Sequence, residues 1–346
     1  MNPAEKLDGL ILNDNWVVKS KTSKNPQSTG GFFSVGYLVE NNKTNVQAYL
    51  KAIDLVSAFN QPDPLRHLQI LTETYNYERD LLFKCQGLKR IIKPLFYGEI
   101  LPPGSTNASE KVFFIGFELA NSDIRSYVST ARYFDLAWCL RSLHHTSVGI
   151  SQLHDHSIAH QDLKPSNVLY FEDAGSKIGD LGRAKDMSLN SPHDSLPIAG
   201  DLSYAPLDLY YSSNSLPQME KRFITDIYLL GSLIFFHFSN VSATQAIRLN
   251  LKINLSYGTP TENFYSDLPF LEEAFNDANI QLEKAVQPLA EDLTPEIMRL
   301  VKLLCRPDPA KRGDPKLAGT VTPKHNLERI ISSFDVLAMR AELKFK

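Results

Sequence analysis

The run FITDIYLLGSLIFFHF, residues 223–238, constrains the fold more than any other stretch of the chain. Its apolar side chains recur at helical spacing and leave no polar face, so the helix it predicts has to be surrounded by protein. The run is too short to cross a bilayer, and it carries Asp226, which favours a buried core helix over a membrane span. An acid inside so apolar a segment needs hydrogen-bond donors around it. The chain has 346 residues, enough for a core of that size and for two lobes or domains.

Composition narrows the class of partner. Hydrophobic residues make up 43% and charged residues 22%, the balance of an ordinary soluble globular protein. The net charge of −3 gives no basic field, so no nucleic-acid partner and no anionic membrane surface is expected. Cys85, Cys139 and Cys305 lie far apart and form neither a metal-type pair nor a disulfide framework, which predicts a reducing, cytoplasmic setting. The N-terminal MNPAEKLDGLILNDNW has no basic start and no long apolar run, so it does not read as a secretory signal.

The character of the chain changes near Asn121. Before it, NWVVKSK, GFFSVGYLVE, VQAYLKAIDL and KVFFIGFEL are β-rich runs separated by Asn, Gly, Pro and Lys. One helix interrupts them in LRHLQILTETYNYERDLLFKCQG, with Gly87 as its expected stop. After it, FDLAWCLRSLHHTSVGISQLHDH, DLPFLEEAFNDANIQLEKAV and TPEIMRLVKLLC repeat apolar residues at helical spacing. A two-lobed α+β protein follows, with lobes over 1–120 and 121–346. The C-terminal HNLERIISSFDVLAMRAELKFK reads as a helix packed on the second lobe, with binding of a partner as the alternative.

The stretch AHQDLKPSNVLYFEDAGSKIGDLG, residues 159–182, sets Asp162, Lys164 and Asn167 beside Val168, Leu169 and Ile178, then places Asp180 ahead of a Leu-Gly pair. Several polar groups in an apolar setting serve a metal or a reacting group. On these residues the chain resembles the eukaryotic-like (Hanks-type) Ser/Thr protein kinases. HQDLKPSN resembles the catalytic loop H-R-D-x-x-x-x-N, and GDLG resembles D-F-G with Leu181 in place of Phe. The resemblance covers nearly the whole length. It implies a bilobal fold: an antiparallel sheet with one main helix, then a mainly helical lobe, with ATP bound between them.

Residue roles follow from the same resemblance. Asp162 would accept or orient the proton of the attacking hydroxyl, and Lys164 would contact the transferring phosphate. Asn167 and Asp180 would hold Mg²⁺, with Mn²⁺ as the alternative. Lys51 in AYLKAID would grip the α- and β-phosphates, paired with Glu78 in YNYERDLLF; Glu73 is the competing partner. Gly30 and Gly31 would approach the phosphates, although Thr29 and Ser34 stand where the family has its other two glycines. Gly36 falls where Val covers adenine, and Tyr49 replaces the small residue two before the lysine, so Tyr49 is expected to fill the roof that Gly36 leaves open. Phe117 would be the gatekeeper, and the backbones of Glu118 and Ala120 would bind adenine. Asp208, at the Glu of A-P-E, would pair with Arg312, and Asp226 would bind backbone N–H groups of the catalytic loop.

The implied activity is transfer of the ATP γ-phosphate to a Ser or Thr of a protein substrate. Gln161 stands at the Arg of H-R-D, which normally binds a phosphate on the activation loop. Activity is therefore expected not to require phosphorylation there, although Ser188, Ser191, Ser195 and Ser203 lie in that segment. Two other classes stay open: an ATP-binding pseudokinase scaffold, supported by the altered glycine loop, and a small-molecule phosphotransferase of the aminoglycoside type, which shares the Asp-x4-Asn spacing. Transfer of AMP is also compatible with these residue types.

Overall fold

The computed structural model describes residues 2–22, 34–105, 107, 110–211, 217–252, 263–317, 320–323 and 325–344. Gly30 and Gly31, with Thr29 beside them, lie outside the described residues. The chain divides into two compact units, Met1–Ser122 with Gly179–Gly182, and Asp123–Ile178 with Arg183–Lys346.

The first unit is built on an antiparallel sheet of β1 (Trp16–Lys21), β2 (Ser34–Asn41), β3 (Gln47–Ile53), β4 (Pro94–Ile100) and β5 (Val112–Glu118), in the order β1-β2-β3-β5-β4. Alternation explains β3: Ala48, Leu50 and Ala52 enter the core, so Tyr49 and Lys51 share the opposite face. Tyr37, Val39, Leu50 and Phe114 fill that core, and Trp16 stacks on Phe96 with ring centroids 4.4 Å apart. The N-terminal residues belong to it too, since Ala4 and Leu7 are buried and the Tyr37 hydroxyl donates to the Ala4 carbonyl at 2.7 Å. β4 is a strand that sequence patterning passed over; it opens on Pro94 and contains Gly98, both of which weaken a strand signal.

The helix of this unit, α1 (Pro64–Lys84), starts where Asp63 accepts from the Arg66 amide at 3.1 Å and Pro64 presets the first turn. It ends before the expected Gly87. The Cys85 amide closes the last turn on Leu81, and Leu88 then turns back to the Cys85 carbonyl at 2.9 Å.

After β6 (Ser122–Asp123) the second unit runs through α2 (Ile124–Thr130), α3 (Leu136–Asp155), β7 (Ile158–Ala159), β8 (Val168–Phe171), β9 (Gly175–Ile178) and β10 (Lys185–Asp186). It finishes with α4 (Gln218–Ser239), α5 (Ala243–Leu249), α6 (Phe264–Ala290), α7 (Thr294–Leu304) and α8 (Glu328–Lys344). The all-round apolar run forms α4, and every residue from Phe223 to Phe238 is buried. Gly231 lets α7 approach, because a side chain there would overlap Cys305 and Leu304. α8 packs on α3 as expected: Arg141 reaches Asp335 at 2.6 Å and Glu342 at 2.8 Å. Among the described residues no single helix is long and apolar enough to cross a membrane. The α+β class, a five-stranded first region and a mainly helical remainder, is the one the sequence implied.

Candidate active site

In the first unit, β3 directs Lys51 towards α1. Its Nζ donates to both Glu78 oxygens, at 2.8 and 2.9 Å, and to Asp180 Oδ1 at 3.3 Å. Glu78 is only 3% exposed along its side chain, whereas Asp180 is 41% exposed. Burial works against the Lys51 charge, but Asp180 and Glu78 outweigh it and raise its pKa, so the ammonium stays charged at neutral pH. Glu73 is turned away and accepts from Gln69 Nε2 at 2.7 Å. Asp180 has a left-handed backbone (φ 55°), a conformation that non-glycine residues adopt at a cost and that clusters at functional sites. Leu181 is fully buried, consistent with an apolar packing role at the Phe of D-F-G.

Tyr49 lies over Gly36. A side chain at Gly36 would overlap the Tyr49 ring and hydroxyl and the Thr22 hydroxyl. Burial raises the Tyr49 pKa, keeping the phenol neutral. The ring thus occupies the space that a Val at position 36 would need. Phe117 is buried on β5, opposite Tyr49 in the ladder. The Glu118 amide donates to the Lys93 carbonyl at 3.1 Å, so any adenine contact by Glu118 falls to another of its groups. Ala120 follows β5 in a segment without regular structure.

In the second unit, the loop between β7 and β8 presents Asp162, Lys164 and Asn167, all buried. Asp162 Oδ1 accepts from the Asp201 amide at 2.7 Å, and Oδ2 lies 3.2 Å from Lys164 Nζ. Asn167 Nδ2 donates to the Asp162 carbonyl at 2.8 Å and to Oδ2 at 3.1 Å, closing the loop on itself. Asp226, fully buried on α4, accepts from the backbone amides of His160 and Gln161, both at 2.7 Å, and pairs with His154 at 3.0 Å. These bonds hold Gln161 in its left-handed conformation, φ 64°. The Asp208–Arg312 pair meets at 2.5 Å with each side chain 1% exposed.

Sequence reasoning missed the surroundings of this loop. Asp201 joins Lys164 at 3.3 Å and covers Asp162 with its amide, while a side chain at Gly200 would overlap the Gln161 carbonyl. The Gly-Asp pair just before SYAPLD was the available signal. Arg222 and Asp194 were missed as well, because they reach Gln161 only through the fold.

The strand order, the Lys51–Glu78 pair and the Asp-x4-Asn loop hung from a buried Asp together define an α+β domain of the kinase class. A protein kinase domain family model matches residues 29–318, and the chain belongs to that family. The greatwall Ser/Thr-protein kinase of Danio rerio is 32% identical over 168 residues, 48% of this chain and 17% of that protein. The greatwall kinase of Bos taurus is 24% identical over 177 residues, 51% of this chain and 18% of that protein. An Aurora kinase of Debaryomyces hansenii is 27% identical over 115 residues, 33% of this chain and 26% of that protein. The chain thus matches about a quarter or less of the length of these relatives.

Proposed function

We propose that the chain transfers the γ-phosphate of ATP to a Ser or Thr hydroxyl of a protein substrate. The observation that carries this is the buried Asp162–Lys164–Asn167 cluster suspended from Asp226. In such a site positioning and charge neutralisation do most of the work. Asp162 would orient the attacking hydroxyl and take its proton, and Lys164 would offset charge on the transferring group. Lys51, kept charged and aimed by Glu78, would neutralise the α- and β-phosphates.

Asp180 and Asn167 each offer a hard oxygen donor of the kind Mg²⁺ or Mn²⁺ takes. Among the described residues no three His, Cys, Asp or Glu are grouped to hold a metal unaided, which fits an ion that depends on phosphate oxygens for its remaining ligands. Such an ion would supply charge neutralisation of the triphosphate. A pseudokinase scaffold would have no physical need for Lys51, Glu78, Asp162, Asn167 and Asp180 together. A reducing, cytoplasmic setting is part of the same proposal, since Cys85, Cys139 and Cys305 are buried and not joined in disulfides.

The test is mass spectrometry of a proteome incubated with the chain and Mg·ATP, against an Asp162→Ala control. Phosphorylation of Ser and Thr should drop about 10²–10⁴-fold in the control. Equal labelling by both proteins, or none from the parent, would sink the assignment.

A further inference from the structure

Asp194 ties together three parts of the second unit that are remote in sequence. Its Oδ2 accepts from Lys185 Nζ at 2.6 Å and from the Ser191 amide at 2.9 Å. Its Oδ1 accepts from Arg222 on α4 at 3.3 Å. The same guanidinium donates to Gln161 Oε1 at 2.5 Å, and Gln161 Nε2 donates to the Arg183 carbonyl at 2.9 Å. Gln161 immediately precedes Asp162, so the carboxylate is linked through one arginine and one amide to the backbone that carries the proposed base.

Two cations converging on one anion make the arrangement that otherwise orders a segment around a phosphate. Here the anion is a carboxylate encoded in the chain. Burial acts to raise the Asp194 pKa, but Lys185 and the Ser191 amide outweigh it and hold the carboxyl below the usual range. Two nearby serines are poor sites for a phosphate, since Ser188 Oγ donates to Asp186 at 2.6 Å and Ser203 Oγ to Asp201 at 2.7 Å. A phosphate on either would face a carboxylate at contact distance. Asp194, Arg222 and Gln161 also line, with residues 195–200, a cavity of about 340 Å³.

We infer that Asp194 is a positioning residue standing in for an activating phosphate: through Lys185, Arg222 and Gln161 it holds the segment 185–205 and the Asp162 loop in their working arrangement without modification. This rests on the kinase assignment above. The test compares the parent, before and after phosphatase treatment, with Asp194→Asn and Asp194→Glu. It reads kcat, KM for ATP, melting temperature and amide hydrogen exchange over 187–205. The parent should keep its rate after phosphatase. Asp194→Asn should lower kcat about tenfold or more, leave the ATP KM within about twofold, and speed exchange over 187–205 while the rest of the chain stays protected. Asp194→Glu, which keeps the charge, should recover to within about threefold of the parent. An Asp194→Asn variant with parental turnover and exchange overturns the inference. So does an Asp194→Glu variant no better than Asp194→Asn, or global unfolding of both, and so does loss of the parent's activity on phosphatase treatment. If the parent transfers no phosphate at all, that failure falls on the kinase assignment, and exchange over 187–205 alone decides the clamp.

Discussion

Lys51 and Asp162 carry charge in contrasting surroundings. Lys51 joins the buried Glu78 to Asp180, a carboxylate that is 41% exposed and sits on a left-handed backbone. Asp162 is buried and bonded on both oxygens, inside a loop whose backbone is gripped by Asp226. The first arrangement provides charge with one open partner, able to exchange its contact for a ligand's. The second provides position, because moving any member breaks several buried hydrogen bonds at once. Substitutions in the first should therefore alter activity more than stability, and substitutions in the framework of the second should do the reverse.

The largest effect is expected at the Asp208–Arg312 pair. Arg312→Ala leaves a carboxylate buried without its guanidinium and should cost ~3–5 kcal/mol of stability in chemical denaturation. A loss under about 1 kcal/mol would break the contrast at its firmest point. Lys51→Met comes next. Initial rates at saturating ATP should fall about 10²–10³-fold, while the denaturation midpoint moves less than for Arg312→Ala, because burial already raises the Glu78 pKa and the acid can take up a proton once the ammonium is gone.

A pH effect sharpens the picture of the second unit. His237 is buried beside Trp138, neither ring nitrogen has a hydrogen-bond partner among the described residues, and burial lowers its pKa from 6.5 to about 4. The unfolded chain then binds the proton that the folded one refuses. Stability contributed by the neutral ring is complete above pH ~6.5 and is lost as pH falls towards 4, up to roughly 3 kcal/mol. His237→Phe should flatten that part of the stability profile between pH 7 and 4.5, and a profile parallel to the parent's would show that the ring protonates freely. The smallest effect belongs to the first unit. Tyr49→Ala removes the ring over Gly36 and should weaken ADP binding by up to about tenfold in a calorimetric titration, the worth of one aromatic contact. Unchanged affinity would mean that Tyr49 only fills space in the sheet.

Much of this was legible locally. The helical spacing in α1 and α3 and the alternation in β3 mark the elements, and Asp63 and Asp135 cap the helices they precede. Glu78 was preferred over Glu73 through the resemblance, because Leu81 and Leu82 follow it as in the family's pattern, and in the structure all three are buried on α1. β4 was not, because Pro94 and Gly98 interrupt its pattern and only pairing with β5 makes it a strand.

Sequence alone determined most of the elements and the buried α4, because periodicity and short spacings are properties of neighbours along a chain, while Lys51, Asp162, Asn167 and Asp180 stood out through the resemblance of their motifs to those of a family. Tertiary structure alone decided which further charges meet. Asp194 finds Arg222, Arg222 finds Gln161, and Asp201 finds Lys164 across long stretches of chain. Such contacts depend on how apolar faces pack, and no local pattern records the distance between two side chains that packing brings together.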